Sequence, residues 1–448
     1  MPRSGSYSSG IWSALAVGLT ALAFCSSAAA LTVEVRDDYP VPDLVRLEAR
    51  DSGSEANEIS ARVVGEAAAS LEVEIIDRAA AASAGKGCEG GGLPGAPVVC
   101  LIPKPEERDL PVFFELGGGD NKLEASTLSF RLAYLGGTEP DTVVAGSGGD
   151  DILPGGGGDV VFGNEGDDRL TAPRTLTGSN RYALGAGYDH VGYLLLKSPL
   201  RMLGGIVEAG EGRDQLEGVE QVFGGRGNDV FFAASLLSPV PAPHYELLDG
   251  LGGDDMMIGG DSGATLVGEQ GDDTLIAGTR VRGSVGAPAP ITRLIGEDGD
   301  DRYFGADGVD VIREYEFAGR DLAPSGQRDS RSADIAFGGD GDDLIELGSG
   351  VDAARGGSGD DKLDLGRGPD LGSGDGGSDL LIGDLGLDRL IGAAGRDRIL
   401  AAYGSAPGSP RLVDRRDRID CGSGRDFALV NPWDRRRDCE QARPWHQG

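Results

Sequence analysis

The chain has 448 residues, 77 of them Gly, about 17% against an average usage of roughly 7%, so the fold must require glycine repeatedly. Acidic residues outnumber basic ones 74 to 41 for a formal charge of -33, which excludes nucleic acid and anionic membranes as main partners unless a basic patch is segregated somewhere. With 39% apolar residues and 23 Pro, the composition fits neither collagen nor a disordered acidic tail and leaves a folded, acidic, glycine-dependent chain.

Residues 1–30 read as an export signal. Arg3 precedes an uncharged apolar run from Ile11 to Phe24, followed by Ser26, Ser27, Ala28, Ala29 and Ala30, a small-residue stretch suited to signal peptidase, with cleavage expected after Ala30. The run is short for a membrane span, and nothing later offers the roughly 20 apolar residues a transmembrane helix needs. Lipidation of Cys25 is disfavoured by bulky Phe24 beside it. Cleavage would remove Arg3 and Cys25 and no acid, leaving a charge of -34 and four Cys. An even count in an exported chain implies two disulfides. Four Cys allow three connectivities; sequence proximity favours Cys88 with Cys100 and Cys421 with Cys439, each bond contributing on the order of 3 kcal/mol by restricting the unfolded chain.

Residues 31–114 contain the alternating stretches Leu31–Val35 and Leu71–Ile75 and few repeat aspartates, which predicts a β-rich amino-terminal cap. Residues 115–400 carry a nine-residue repeat. Asp343, Asp352, Asp361, Asp370, Asp379, Asp388 and Asp397 follow one another without a slip, each with Gly two residues before it. Two residues after the aspartates come Ile345, Ala354, Leu363, Gly372, Leu381, Leu390 and Ile399. An earlier run holds the period at Asp141, Asp150, Asp159 and Asp168; shorter fragments recur at Asp255 and Asp273 and at Asp301 and Asp310, and isolated copies at Asp189, Asp214, Asp229 and Asp426. Residues 401–448 repeat the turn once more and form a carboxyl-terminal cap closed by Cys421 and Cys439. The basic run Arg435–Arg437 there reads as a solvated cap surface.

The six residues ending in Asp suit a tight turn, since glycines adopt positive φ and let backbones approach closely, while the next three are extended and point one apolar side chain inward. Two nonapeptides then make one coil of a solenoid, and coils stack as parallel strands about 4.8 Å apart. Asp343, Asp361, Asp379 and Asp397 are expected on one edge, and Asp352, Asp370 and Asp388 on the other. Carboxylates stacked about 4.8 Å apart repel by roughly 3 to 4 kcal/mol per pair at an effective dielectric of 20, so the stack needs a cation. Carboxylates and turn carbonyls suit a hard ion of flexible coordination, calcium rather than zinc.

Segments such as Gly338–Ile345 and Gly163–Leu170 resemble the Gly-Gly-x-Gly-x-Asp-x-apolar-x repeats of RTX, or haemolysin-type, calcium-binding proteins. The resemblance spans about two thirds of the chain with interruptions. It implies an all-β fold, a parallel β-roll or β-helix solenoid, with calcium ions held between neighbouring turns by Asp141, Asp150, Asp159, Asp168, Asp189, Asp214, Asp229, Asp255, Asp273, Asp301, Asp310, Asp343, Asp352, Asp361, Asp370, Asp379, Asp388 and Asp397 together with backbone oxygens. Departures from the pattern are Asn121, Ala264 and Thr292 at Asp positions and Asp375, Asp384 and Ala393 at a glycine position, where weaker binding is expected. The register is ambiguous at Asp150–Asp151 and Asp254–Asp255.

Segments 171–183, 193–208, 232–247, 279–291 and 313–332 break the period, and those holding Pro239–Pro243 and Ala287–Pro290 read as extruded loops. The three His, at 190, 244 and 446, form no His-Glu-x-x-His zinc helix, and no Gly-x-Ser-x-Gly elbow occurs. Asp189–His190, assisted by Glu208 or Glu211, is the one acid-base pair to weigh, against its simpler reading as turn residues. The leading expectation is a secreted, non-enzymatic calcium-binding solenoid whose folding is coupled to extracellular calcium, with a surface, matrix or adhesion role. The alternative is a β-helix polysaccharide lyase or epimerase working in the solenoid groove.

Overall fold

Each nonapeptide contributes one short strand directly after its Asp: Lys362–Asp364 follows Asp361, Leu380–Ile382 follows Asp379, and Arg398–Leu400 follows Asp397. Alternate strands pair in parallel. Leu344, Lys362, Leu380 and Arg398 lie in register on one face, and Ala353, Leu371, Arg389 and Arg418 on the other. The chain therefore winds as a two-faced roll, in which a single 41-stranded sheet joins almost every strand. The computed structural model describes residues 31–36, 46–51, 56–67, 70–103, 112–233, 247–260, 263–278, 291–314, 332–401 and 416–444. Residues 1–30, where an export signal is expected, and the Pro239–Pro243 and Ala287–Pro290 segments lie outside the described residues. No helix among the described residues is long and apolar enough to cross a membrane.

Because side chains alternate along a strand, only the residue two after each Asp faces the interior of a three-residue strand. Ile345, Leu363, Leu381 and Ile399 are fully buried on one face; Ala336, Ala354 and Leu390 are buried on the other. The apparent gap at Gly372 is filled from across the roll, where a Cβ would lie 2.8 Å from Leu365 Cδ1. Leu347 and Leu365, four residues after their aspartates, form a further set of inward side chains. Each fully buried Leu or Ile contributes roughly 1.5–3 kcal/mol, and the core grows in one dimension with the coils.

The amino-terminal region changes strand direction to close this stack. Glu58–Glu66, Ser70–Asp77 and Val98–Pro103 form antiparallel pairs, while Arg46–Asp51 and Glu58–Glu66 run parallel to Val112–Leu116 and Lys122–Glu124, the first strands of the roll. Solenoids need such covers for their apolar ends. Cys88 and Cys100 stand opposite each other in a hairpin and are joined; Cys421 is joined to Cys439 across the last coil.

The breaks in period leave the stacking intact. Residues 171–183 lengthen a coil by a few residues and end in the regular strand Ser179–Ala186, which pairs with Val160–Glu165. Residues 193–208 fold as added strands: Arg201–Leu203, Ile206–Ala209 and Gly212–Glu217 are linked by antiparallel pairing within the same sheet.

Candidate metal sites

The turn before each strand explains its glycines. In Gly356–Asp361, a Cβ on Gly356 would sit 2.2 Å from Asp361 Oδ2, so this glycine forms the cradle of the carboxylate. Gly359 has φ of +136° and its Cβ would lie 1.9 Å from the carbonyl oxygen of Gly341 one coil earlier. The same two clashes recur at Gly374 with Asp379 Oδ2 (2.2 Å) and at Gly377 with the Gly359 carbonyl (1.8 Å). Close coil stacking thus leaves no room for a side chain at Gly359 or Gly377. Four residues before it only a left-handed backbone is required, and Asp375, Asp384 and Ala393 adopt it at φ of 67°, 54° and 74°. The three expected departures therefore keep the shape of the turn.

The aspartates stack in two rows. In each, the backbone N–H of one Asp donates to Oδ1 of the Asp one coil later: Asp343 to Asp361 at 2.8 Å, Asp361 to Asp379 at 2.9 Å and Asp379 to Asp397 at 3.0 Å, and on the other edge Asp352 to Asp370 at 2.9 Å and Asp370 to Asp388 at 3.0 Å. The expected edges are those observed. The rows also run farther than the unbroken period suggests. Asp229, Asp255, Asp273, Asp301, Asp334 and Asp352 link in series, including steps of 28 and 33 residues across two insertions. Asp388 and Asp397 continue to Asp417 and Asp426.

Asp334 and Asp417 were absent from the expected set, although each lies nine residues before another row member, Asp343 and Asp426. Neither has glycine two residues before it, Ser332 and Arg415 standing there, which masked the repeat. Asp189, read as isolated, accepts from the Asp168 N–H at 2.8 Å and itself donates to Glu220. Asn121 and Asn180 act as row members, linking Asn57 to Asp141 and Asp159 to Asp214. Ala264 and Thr292 carry no carboxylate at their rungs. The register is settled at both doubtful places: Asp150 and Asp255 face inward, Asp151 pairs with Arg131, and Asp254 belongs to an exposed outer row. That outer row, formed by the residue before each inner Asp, also includes Asp342 and Asp360.

The second carboxylate oxygen separates the expected residues into two kinds. Oδ2 of Asp159, Asp168, Asp189, Asp255, Asp273, Asp343, Asp352, Asp361, Asp370, Asp379 and Asp397, and of Asp426, is buried with no hydrogen-bond partner among the described residues. In Asp141 and Asp214, Oδ2 accepts from the hydroxyls of Tyr134 and Tyr193 at 2.8 and 2.9 Å. In Asp150, Asp229 and Asp310 it accepts from the backbone N–H of Gly146, Gly225 and Ala306, and in Asp301 it lies 3.4 Å from the Tyr303 hydroxyl. These six already have neutral donors on both oxygens or nearly so.

A buried carboxylate oxygen without a donor is costly while ionised. Burial pushes the carboxyl of Asp352 up to about 8 and those of Asp361 and Asp370 to about 7, against a smaller opposing effect of the backbone N–H each accepts. Asp168 and Asp273 are likewise raised to about 8. A proton or a metal cation at these oxygens would relieve that cost. The oxygen-only donor set fits a hard cation. Among the described residues no three acidic, His or Cys side chains converge on one point, so an ion here must complete its shell largely with turn carbonyls.

These shifts fix the pH dependence of the metal-free chain. Carboxyls raised above their unfolded value of about 3.9 bind more protons in the folded state, so their contribution is full below that value and is lost as pH rises through the folded values. Metal-free protein should resist urea best near pH 4 and lose stability progressively from about pH 4 to 8, between the unfolded value and the raised folded ones. Urea midpoints across that range in chelator test this; a midpoint that rises with pH would refute it.

The Asp189–His190 pair does not form an acid-base couple. Asp189 turns inward to the row, while His190 lies edge-on to Phe223 at 6.0 Å, and burial lowers its imidazole to about 4.

The family model of the RTX calcium-binding nonapeptide repeat matches residues 135–170, 216–235, 258–279, 293–312, 330–363, 337–372 and 373–402. No curated protein matches the chain. The matched segments carry much of both Asp rows, and the chain carries RTX calcium-binding nonapeptide repeats across residues 135–402.

Proposed function

We propose that this is an exported, non-enzymatic calcium-binding solenoid that completes its folding when it meets extracellular calcium, and that it serves at a surface or in a matrix. The observation that carries this reading is the pair of rows of buried, donor-free Oδ2 atoms from Asp159 to Asp426. In it, residues 1–30 direct export, 31–114 cap the first coil, 115–400 form the calcium-binding roll and 401–448 close it. Each Oδ1 is fixed by the N–H of the preceding coil, which aims Oδ2 into its glycine cradle; a bound calcium ion supplies the positive charge that the cradle lacks. The two disulfides hold the ends in an oxidising compartment, where such bonds persist.

Metal selectivity tests the reading. In metal-free protein at pH 7.5, calcium is expected to restore strand structure at concentrations of about 10 mM or below, while equimolar zinc does not, because the rows offer oxygen ligands only. Restoration by zinc at equal or lower concentration would contradict the reading.

A further inference from the structure

Three arginines without acidic partners among the described residues stand side by side at the carboxyl end of the roll. Arg389, Arg418 and Arg435 fill the outward slot directly after Asp388, Asp417 and Asp434, and lie in register on adjacent strands. All three are exposed. The nearby acid, Asp420, is engaged by Arg437. With Ile419, Asp420, Arg436 and Arg437 they line a shallow groove of about 400 Å³.

The repeat does not impose this row. On the preceding rungs the same slot holds Ile335, Ala353 and Leu371, and on the opposite face the terminal rungs hold Arg398, Phe427 and Gln441. Like charges directly opposite across strands repel, yet here they are concentrated, within a chain whose net charge is -33. An anion lying along the row would relieve that repulsion. Guanidinium forks match carboxylate and sulfate groups in bidentate fashion. The row is one charge wide and repeats at the strand spacing of about 4.8 Å, which suits a linear ligand with closely spaced charges rather than a compact one. No aromatic side chain lines the groove, so it lacks the stacking platform that single-stranded nucleic acid uses.

We propose that the Arg389–Arg418–Arg435 row binds a linear acidic polysaccharide, carboxylated or sulfated, laid along the axis of the roll. This goes beyond the calcium reading and needs from it only a folded roll, so binding is measured on full chain at saturating calcium with strand content recorded in parallel.

The probes are labelled hexagalacturonate and a chondroitin sulfate hexasaccharide, followed by fluorescence anisotropy. At least one is expected to bind with an affinity that falls as NaCl rises, and comparison of the two assigns carboxylate or sulfate. Substituting R389Q, R418Q and R435Q together should weaken binding by about tenfold or more through loss of charge-assisted hydrogen bonds, with strand content unchanged. R398Q, on the opposite face, should bind as the parent does. The proposal is overturned if neither probe binds, if the triple variant binds like the parent, if inorganic sulfate competes as well per charge as the hexasaccharides, or if a single-stranded DNA hexamer binds as tightly as they do.

Discussion

Chelation of calcium at pH 7.5 should unfold most of the roll, with loss of the strand signal in circular dichroism and its return on adding calcium. The expectation follows from a balance within each coil. The inward Leu and Ile side chains favour the stack, but most coils bury a carboxylate oxygen that has no hydrogen-bond partner among the described residues. The rows place these groups on successive coils, and the whole chain carries -33, so repulsion accumulates as coils are added. A ligand that binds only the folded state stabilises it by about 4 kcal/mol per site at 1,000 times its dissociation constant, and the described rows hold many such sites. The antiparallel amino-terminal region, which one inner row reaches only through the neutral Asn57 and where a disulfide closes the hairpin, should retain more structure than the coils. A strand signal unchanged between excess chelator and about 10 mM calcium would refute the coupling.

Asp370→Asn should lower the calcium stoichiometry and weaken the apparent affinity of the neighbouring sites, whereas Asp214→Asn should leave both close to the parent values. Asn is the informative substitution because Asn121 and Asn180 already serve as row members. It keeps an oxygen acceptor for the Asp352 N–H, bonded to Asp370 Oδ1 at 2.9 Å, and removes only the charge. Ala would also orphan that N–H, at a cost of about 1–3 kcal/mol unrelated to metal. Asp370 lies inside a long row with coils on both sides, so nearest-neighbour coupling spreads its loss. Asp214 has both oxygens occupied, by Asn180 and Tyr193, and offers no cradle. Calorimetric titration of the two variants distinguishes them; equal losses would mean that oxygen availability does not select the sites.

The roll was legible because its two periods are written on different residue types. Asp every nine residues marks the turns, and an apolar residue two later marks the core, so strand positions, edges and the parallel pairing of alternate strands follow from spacing alone. Three things escaped that reading for physical reasons. Row membership depends on the backbone N–H of the preceding coil, so Asp334 and Asp417 belong although they lack the glycine of the motif. Coils tolerate long insertions because a loop leaves the rung where it is, as in the 28-residue step from Asp273 to Asp301, so Asp189 and Asp229 are not isolated. Finally, a Tyr hydroxyl or a turn N–H that satisfies Oδ2, as in Asp141 and Asp229, comes from the folded geometry and has no mark in the nonapeptide.

Anomalous diffraction from crystals grown with calcium tests the central claim most directly. The account predicts ions at calcium–oxygen distances of about 2.3–2.6 Å from Oδ2 of Asp343, Asp361, Asp370 and Asp379, and none at Asp141 or Asp214. Ions confined to the exposed outer row at Asp342 and Asp360, with none on the inner rows, would contradict it.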